Sequence, residues 1–241
     1  MIIDGKKIAE EIVAGLGESL RGRRLGLVVG NADAATESFI KIKSRVAERL
    51  GVEVVRGELP YLAKTCDGII VQLPILNTKE LLAQLPPEKD VDALSTRPLV
   101  RAPVAEAVSE ILSRAGVAAA NKKAVVIGAG KLVGAPSAQL LKDLGARVAV
   151  ITQTHGSLEE LKDADIVVLG AGEPGFIKPE MLKPGVVLID AGTSEAGGKL
   201  MGDADPRCSE VASVFTPVPG GVGPIAVVMI FRNLLTLVRR S

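Results

Sequence analysis

The chain has 241 residues, enough for one large or two small domains with a substantial core. Apolar residues make up 47% but aromatics only 2%, with no Trp, so that core has to be aliphatic. Lys and Arg total 29 against 28 Asp and Glu, a net charge of +1, which excludes the strongly basic surface of a dedicated nucleic-acid protein.

Helix-like and strand-like patterns alternate along almost the whole chain. Residues 8–20 have helical spacing, 25–29 read as a short buried strand, and 36–50 as a helix stopped by Gly51. Strands follow at 52–55 and 68–73, then a short helix at 78–85 ahead of Pro86-Pro87, and a longer one at 104–115. From Lys123 the pattern becomes regular: strands at 124–127, 148–152, 166–169, 186–189 and 213–216, with helices at 136–144 and from 158. A last helix-like segment runs over 225–238. The expected class is therefore α/β, as two α/β domains, the second a doubly wound Rossmann-type nucleotide-binding domain. The boundary falls in 98–103, giving domains 1–103 and 104–223, with the C-terminal helix 224–241 returning to the first.

Two glycine-bearing loops carry the strongest chemical signal. Val125-Val-Ile-Gly128-Ala129-Gly130-Lys131-Leu-Val133-Gly134-Ala-Pro136 reads as strand, glycine turn and helix start. Gly128 permits a tight turn, Gly130 lets a pyrophosphate approach the backbone, and Gly134 lets the helix pack closely on the strand. The helix N-terminus adds free N–H groups and a favourable dipole. No acid follows the second strand; Thr152, Gln153 and Thr154 stand there, which admits the 2′-phosphate of NADP, while no arginine selects it and NAD stays open. The second loop, 217–224, holds Pro217, Pro219, Gly220, Gly221, Gly223 and Pro224. It can be neither helix interior nor regular strand, and it presents bare backbone to a flat ligand.

Cys66 and Cys208 lie far apart and His155 is the lone histidine, so no metal is expected and both thiols are read as buried and reduced. The start lacks a signal-peptide design, and the apolar run 225–230 is broken by Arg232, so the expectation is a soluble, cytoplasmic chain with no membrane partner. Three further segments read as ordinary when taken singly. Phe39 and Lys43 stand one turn apart on a helix, Gln72 ends an apolar strand before Pro74, and Asp90 and Asp92 sit two apart in a loop.

Together these segments resemble the methylenetetrahydrofolate dehydrogenase/methenyltetrahydrofolate cyclohydrolase family, nearly end to end. The marks are Ile2-Ile-Asp-Gly-Lys6, Asp67-Gly-Ile-Ile-Val-Gln-Leu-Pro74, Lys89-Asp-Val-Asp92, the 128–136 loop, Gly175-Phe-Ile177, Ile189-Asp-Ala-Gly192 and 217–224. The resemblance implies that the two domains flank a cleft, that Lys43 is the catalytic lysine there, that Gln72 hydrogen-bonds and tunes this lysine, and that Asp92 holds the pterin. It implies substrate contacts from Phe39, Val71, Leu73, Pro74, Pro219, Gly220 and Gly221. The implied cofactor contacts are Gly128, Ala129, Gly130, Lys131, Val133, Gly134, Thr152, Gln153, Gly170 and Thr193. A carboxylate such as Asp92 can accept the paired donors of an aminopyrimidine, and a lysine beside an amide can serve as acid or base.

The implied function is oxidation of 5,10-methylenetetrahydrofolate with NADP and hydrolysis of the methenyl product to 10-formyltetrahydrofolate, by a homodimer. Two alternatives stand beside it: a chain keeping one activity, the dehydrogenase first, or a folate- or nucleotide-binding protein without useful turnover. The chain departs from the family pattern at several places. Phe39 replaces a tyrosine, Ala93 a glycine, Gly130 and Gln153 serines, and Ile225-Ala226 a Met-Thr pair; the 99–103 segment is shortened. Between Leu59-Pro60 and Asp67 the family's helix reads as deleted.

Overall fold

The computed structural model describes residues 1–30, 34–196 and 199–240. It divides into two compact units: a larger one of Met1–Ile8 with Val104–Ala226, and a smaller one of Ala9–Pro103 with Val227–Ser241.

The first helix, α1 (Gly5–Leu16), starts where the Asp4 side chain accepts the Lys7 N–H at 3.0 Å. It buries Ile8, Ala9, Val13 and Leu16 and leaves Lys6, Lys7, Glu10 and Glu11 exposed. Strand β1 (Arg24–Val29), helix α2 (Ala34–Arg49), strand β2 (Glu53–Arg56), helix α3 (Leu59–Thr65), strand β3 (Gly68–Gln72) and helix α4 (Thr78–Ala83) follow. The three strands form a parallel sheet in the order β2-β1-β3. Leu20, Leu25, Leu27, Ile40, Ala47 and Ile70 pack there with Phe231, Leu234 and Leu237 of the chain's last helix into one aliphatic core.

Helix α3 corrects the expectation of a deleted helix: the segment folds as a seven-residue helix. Pro60 lies in its first turn, where a fixed φ and a missing N–H cost nothing, and Leu59 and Leu62 are buried beneath it. At its other end Lys89 Nζ donates to the Ala63 and Cys66 carbonyls at 2.6 and 2.8 Å, satisfying acceptors that so short a helix cannot.

In the larger unit, helix α5 (Pro103–Arg114) leads to strand β4 (Lys123–Ile127), helix α6 (Gly134–Asp143), and strands β5 (Arg147–Ile151), β6 (Ile166–Leu169) and β7 (Val187–Asp190). A hairpin of β8 (Ser194–Ala196) and β9 (Lys199–Met201) comes next, then β10 (Val214–Phe215); helix α7 (Val222–Val238) begins in this unit and from Val227 belongs to the smaller one. The sheet is parallel in the order β10-β7-β6-β4-β5, so the α/β class and parallel sheets read from the sequence are present. The antiparallel β8–β9 hairpin was not anticipated. From β4 the chain first moves to β5 on one side, then crosses back to β6 on the other. That reversal is the switch point at which open α/β sheets leave a crevice.

Residues 1–8 were expected with the first domain, but the structure groups them with 104–226. The reason is backbone pairing: Ile3 N donates to Phe215 O and Phe215 N to Met1 O, both at 2.9 Å, so the N-terminus runs alongside β10. Among the described residues no helix is long and apolar enough to cross a membrane. Cys66 and Cys208 are free and buried; burial pushes the Cys208 thiol up to about 11, and its Sγ donates to Ile177 O at 3.4 Å.

Candidate active site

In the smaller unit, Lys43 lies on the inward stripe of α2. Thr36, Ile40 and Ala47 stand seven before, three before and four after it, and all are buried. The helix therefore aims a half-buried ammonium at the carboxyl end of β3. There Lys43 Nζ donates to Gln72 Oε1 at 2.9 Å. The Gln72 amide cannot turn away freely, because its Nε2 donates to Leu73 O at 3.1 Å and so points Oε1 at the lysine. Val71 is buried in β3, Leu73 is half-buried, and exposed Pro74 follows through a cis peptide. Phe39, one turn before Lys43, leaves 41% of its surface exposed.

Asp92 is buried in the loop that follows β3 and α4. Burial pushes its carboxyl up from the ordinary range; the Lys43 charge pulls it back and the Asp90 carboxylate adds to the rise. Two ties hold its loop. The buried Asp90 carboxylate accepts Ser95 N at 2.7 Å, and Asn233 Nδ2 donates to the Val91 and Arg101 carbonyls, each at 2.9 Å. Ala93 turns the chain between them with φ 57°, a left-handed conformation that costs an L-residue roughly 1 kcal/mol. Lys43, Gln72 and Asp92 are thus brought together. A separate cavity of about 930 Å³ at the carboxyl ends of β1 and β2 includes none of the three in its lining.

The expected cofactor residues all lie in the larger unit, at one end of its sheet. Ile127 is in register with Ile151 and Leu169, and Leu169 with Asp190. Parallel pairing therefore lines up Gly128, Thr152 and Gly170, each the first residue beyond its strand. Gly128 takes φ 95°, and a Cβ there would collide with the Gly170 carbonyl. A Cβ on Gly134, which opens α6, would collide with the Gly128 carbonyl, and one on Gly170 with Val133. Gly130 is different: a Cβ there meets nothing within 4 Å, so its backbone faces open space. Ala129, Lys131, Gln153 and Thr193 are exposed, and Thr152 N is bonded to His155 O at 2.8 Å.

This arrangement fits a dinucleotide. Three glycines pack so closely that the turn comes down onto the helix N-terminus, and the fourth leaves room above it. The neutral Thr152 and Gln153 carry no acid to repel a 2′-phosphate.

The 217–224 loop belongs to the same unit. Val218–Pro219 is cis, Gly220 takes φ 107° with open space at its Cβ position, and Gly221 N donates to Pro217 O at 2.7 Å. Gly5 N donates to Gly220 O at 2.9 Å, and a Cβ on Gly5 would collide with the Gly221 carbonyl. In the sequence Gly5 is one letter of the opening motif; in the fold it lets the N-terminus buttress this loop.

A parallel sheet with a glycine-lined switch point, in a chain whose other unit bears a Lys-Gln-Asp set, defines a dinucleotide-dependent α/β enzyme. Comparison with known proteins makes the class specific. The family model described as "Tetrahydrofolate dehydrogenase/cyclohydrolase, NAD(P)-binding domain" matches residues 102–241. The bifunctional protein FolD of Staphylococcus epidermidis is 35% identical over 271 aligned positions, spanning 97% of this chain and 95% of that protein. The crystal structure of the bifunctional FolD methylenetetrahydrofolate dehydrogenase/cyclohydrolase of Campylobacter jejuni gives a TM-score of 0.92 at 25% identity, covering 100% of this chain and 99% of that one. The Trypanosoma brucei FolD structure, complexed with NADP cofactor and inhibitor, gives 0.88 at 29% identity, covering 100% and 97%. The chain belongs to the tetrahydrofolate dehydrogenase/cyclohydrolase family.

Proposed function

We propose that this protein is a bifunctional enzyme of one-carbon metabolism. It oxidises 5,10-methylenetetrahydrofolate to 5,10-methenyltetrahydrofolate with NADP, then hydrolyses that product to 10-formyltetrahydrofolate. The observation that carries the reading is the Lys43–Gln72 bond at 2.9 Å beside Asp92, in a chain whose other unit holds the glycine-lined crevice. An intact set of this kind argues against a binding protein without turnover.

Residues 9–103 supply the folate-binding side chains and 104–226 the dinucleotide site. Gly128, Gly130 and the first turn of α6 would hold the pyrophosphate, with Ala129, Lys131 and Val133 beside them. Thr152 and Gln153 would meet the adenosine ribose, and Gly170 and Thr193 would complete the crevice. When bound, NADP supplies the hydride acceptor for oxidation of the methylene bridge. The protein's part in that step is orientation: Asp92 grips the aminopyrimidine, Phe39 offers a ring face to the pterin, and Val71, Leu73, Pro74 and the Pro219-Gly220-Gly221 backbone line the substrate.

Hydrolysis adds water to the methenyl carbon and breaks its bond to N5; of the water's two protons one passes to N5 and the other is released to solvent, carrying off the charge of the methenyl cation. Lys43 moves the proton bound for N5, with Gln72 holding the ammonium in place. The neutral crevice beyond β5 supports NADP. Two buried free thiols support a reducing, cytoplasmic location. A homodimer is the proposed assembly, a question for sedimentation or light scattering.

Lys43→Met tests the site. Hydrolysis of added methenyltetrahydrofolate should fall by about 10²–10⁴ while NADP affinity is unchanged. Hydrolysis at the wild-type rate in that variant would remove Lys43 from the mechanism.

A further inference from the structure

Two buried carboxylates take no part in the chemistry above. Asp190 ends β7 and Asp203 follows β9, and they are 2% and 0% exposed. Burying two neighbouring acids costs several kcal/mol unless each is well hydrogen-bonded. Here both are bonded, and to backbone. Asp203 Oδ2 accepts the N–H groups of Ala171 at 2.7 Å and Gly172 at 3.2 Å, and its Oδ1 accepts that of Glu173 at 2.8 Å. Asp190 Oδ1 accepts from Gly192 N at 3.0 Å and Asp203 N at 3.2 Å, and its Oδ2 from Ala204 N at 2.8 Å.

The bonds form a hierarchy. Asp190 fixes the backbone at 203 and 204, and Asp203 in turn fixes the backbone at 171–173. The fit leaves no slack: a Cβ on Gly192 would collide with the Asp203 carboxylate, and one on Gly202 with that of Asp190. From the other side Ser194 Oγ donates to Gly172 O at 2.7 Å, and Gly172 itself takes φ 74°. The clamped turn directly follows β6, and β6 neighbours β4 across the switch point. An apolar pair could fill the same space without a desolvation cost, but it would leave three N–H groups of the turn without acceptors.

We propose that Asp203, seated on Asp190, is a positioning residue for the dinucleotide. Its carboxylate holds the 171–173 turn as the wall opposite the 128–133 turn, and so sets cofactor affinity. The inference rests on the NADP reading above and adds the device that shapes the site.

Asp203→Asn keeps the volume but replaces an acceptor oxygen with an amide that faces N–H groups. By titration calorimetry its NADP Kd should rise about tenfold or more, with the KM for NADP following. Methenyltetrahydrofolate hydrolysis, measured without NADP, should stay within about twofold, because Lys43 and Gln72 lie in the other unit. Ser194→Ala should shift the Kd the same way by a smaller factor, about two- to fivefold, and it carries the test if Asp203→Asn fails to fold. An unchanged Kd in the variants that fold would overturn the proposal. So would a fall in hydrolysis proportional to the loss of binding, which marks a general structural role. A wild-type protein that hydrolyses methenyltetrahydrofolate but binds no NADP would overturn the functional reading as well, and that result is visible before any variant is made.

Discussion

In the smaller unit the candidate residues are side chains on regular elements: Lys43 on a helix, Gln72 at a strand end, Asp92 in a buried loop. In the larger unit the candidate groups are mostly backbone, exposed by Gly128, Gly130 and Gly134, while the carboxylates of Asp203 and Asp190 hold the backbone at 171–173 and at 203–204. The first kind of site is disarmed by removing atoms, the second by adding them. That difference follows from the two tasks. Proton transfer needs a titratable group, whereas a pyrophosphate needs N–H groups at close approach.

The sharpest way to break this contrast is to add one methyl group. Gly134→Ala would drive a Cβ into the Gly128 carbonyl, so the turn has to move. NADP affinity should fall by about 100-fold, the equivalent of roughly 3 kcal/mol, with methenyltetrahydrofolate hydrolysis preserved. Equal loss of both activities would show that the two sites are not separable.

A smaller effect is expected from Gln72→Leu, which removes the acceptor of the 2.9 Å bond from Lys43. Hydrolysis should slow by about tenfold and calorimetric NADP binding should not change. An unaltered hydrolysis rate would leave Gln72 as a strand-end residue only.

The buried acids give both units a pH dependence of the same sign. Burial lifts Asp190 to about 6, so between about pH 4 and 6 the folded chain holds a proton that the unfolded chain has lost. That stabilisation is full below about pH 4 and drains away as pH rises through 6. Asp205 has the opposite sign: the Arg207 guanidinium and backbone N–H hold it well below the carboxylate range, so its stabilisation is lost only in acid. From pH 5 to 7.5 Asp190 should therefore cost about 1–2 kcal/mol, a fall of several degrees in thermal midpoint. Asp92, raised in the same direction, adds to the fall from the other unit. Asp190→Asn should lower the midpoint overall and flatten its slope across that range. An unchanged slope would mean that Asp190 titrates normally.

The smallest effect is predicted for Phe39→Tyr, which restores the hydroxyl that the family pattern carries. The ring is already 41% exposed and neighbours Lys43 by one turn, so folate KM and hydrolysis should stay within about twofold. A large gain in hydrolysis would assign the hydroxyl a chemical role that this chain lacks.

Much of this was legible in the sequence, for physical reasons that differ between the units. Strands β4, β6 and β7 read correctly to within a residue or two because fully buried parallel strands are continuous apolar runs bounded by glycine. The glycine turns stood out because few other roles need that residue at that spacing. Helix α3 was missed because seven residues starting at Leu59-Pro60 are too short to show periodicity, and the cap that completes the helix, Lys89, lies more than twenty residues on. Lys43 looked like any surface lysine until resemblance singled it out; only the fold shows that Ile40 and Ala47 place it on the buried stripe. Asp203 gave no local signal at all. Its partners at 171–173 lie about thirty residues upstream, and only the folded sheet brings them within reach.

One chain should carry both steps, oxidation drawing on both kinds of site and hydrolysis on the side-chain set alone. Purified protein should be given 5,10-methylenetetrahydrofolate with NADP, and separately 5,10-methenyltetrahydrofolate alone, with near-ultraviolet absorbance followed in each. Reduced nicotinamide is expected in the first, and loss of the methenyl band, faster than the buffer blank, in the second. The absence of both signals, from a protein that is folded and thermally stabilised by folate, would show a folate-binding protein without turnover.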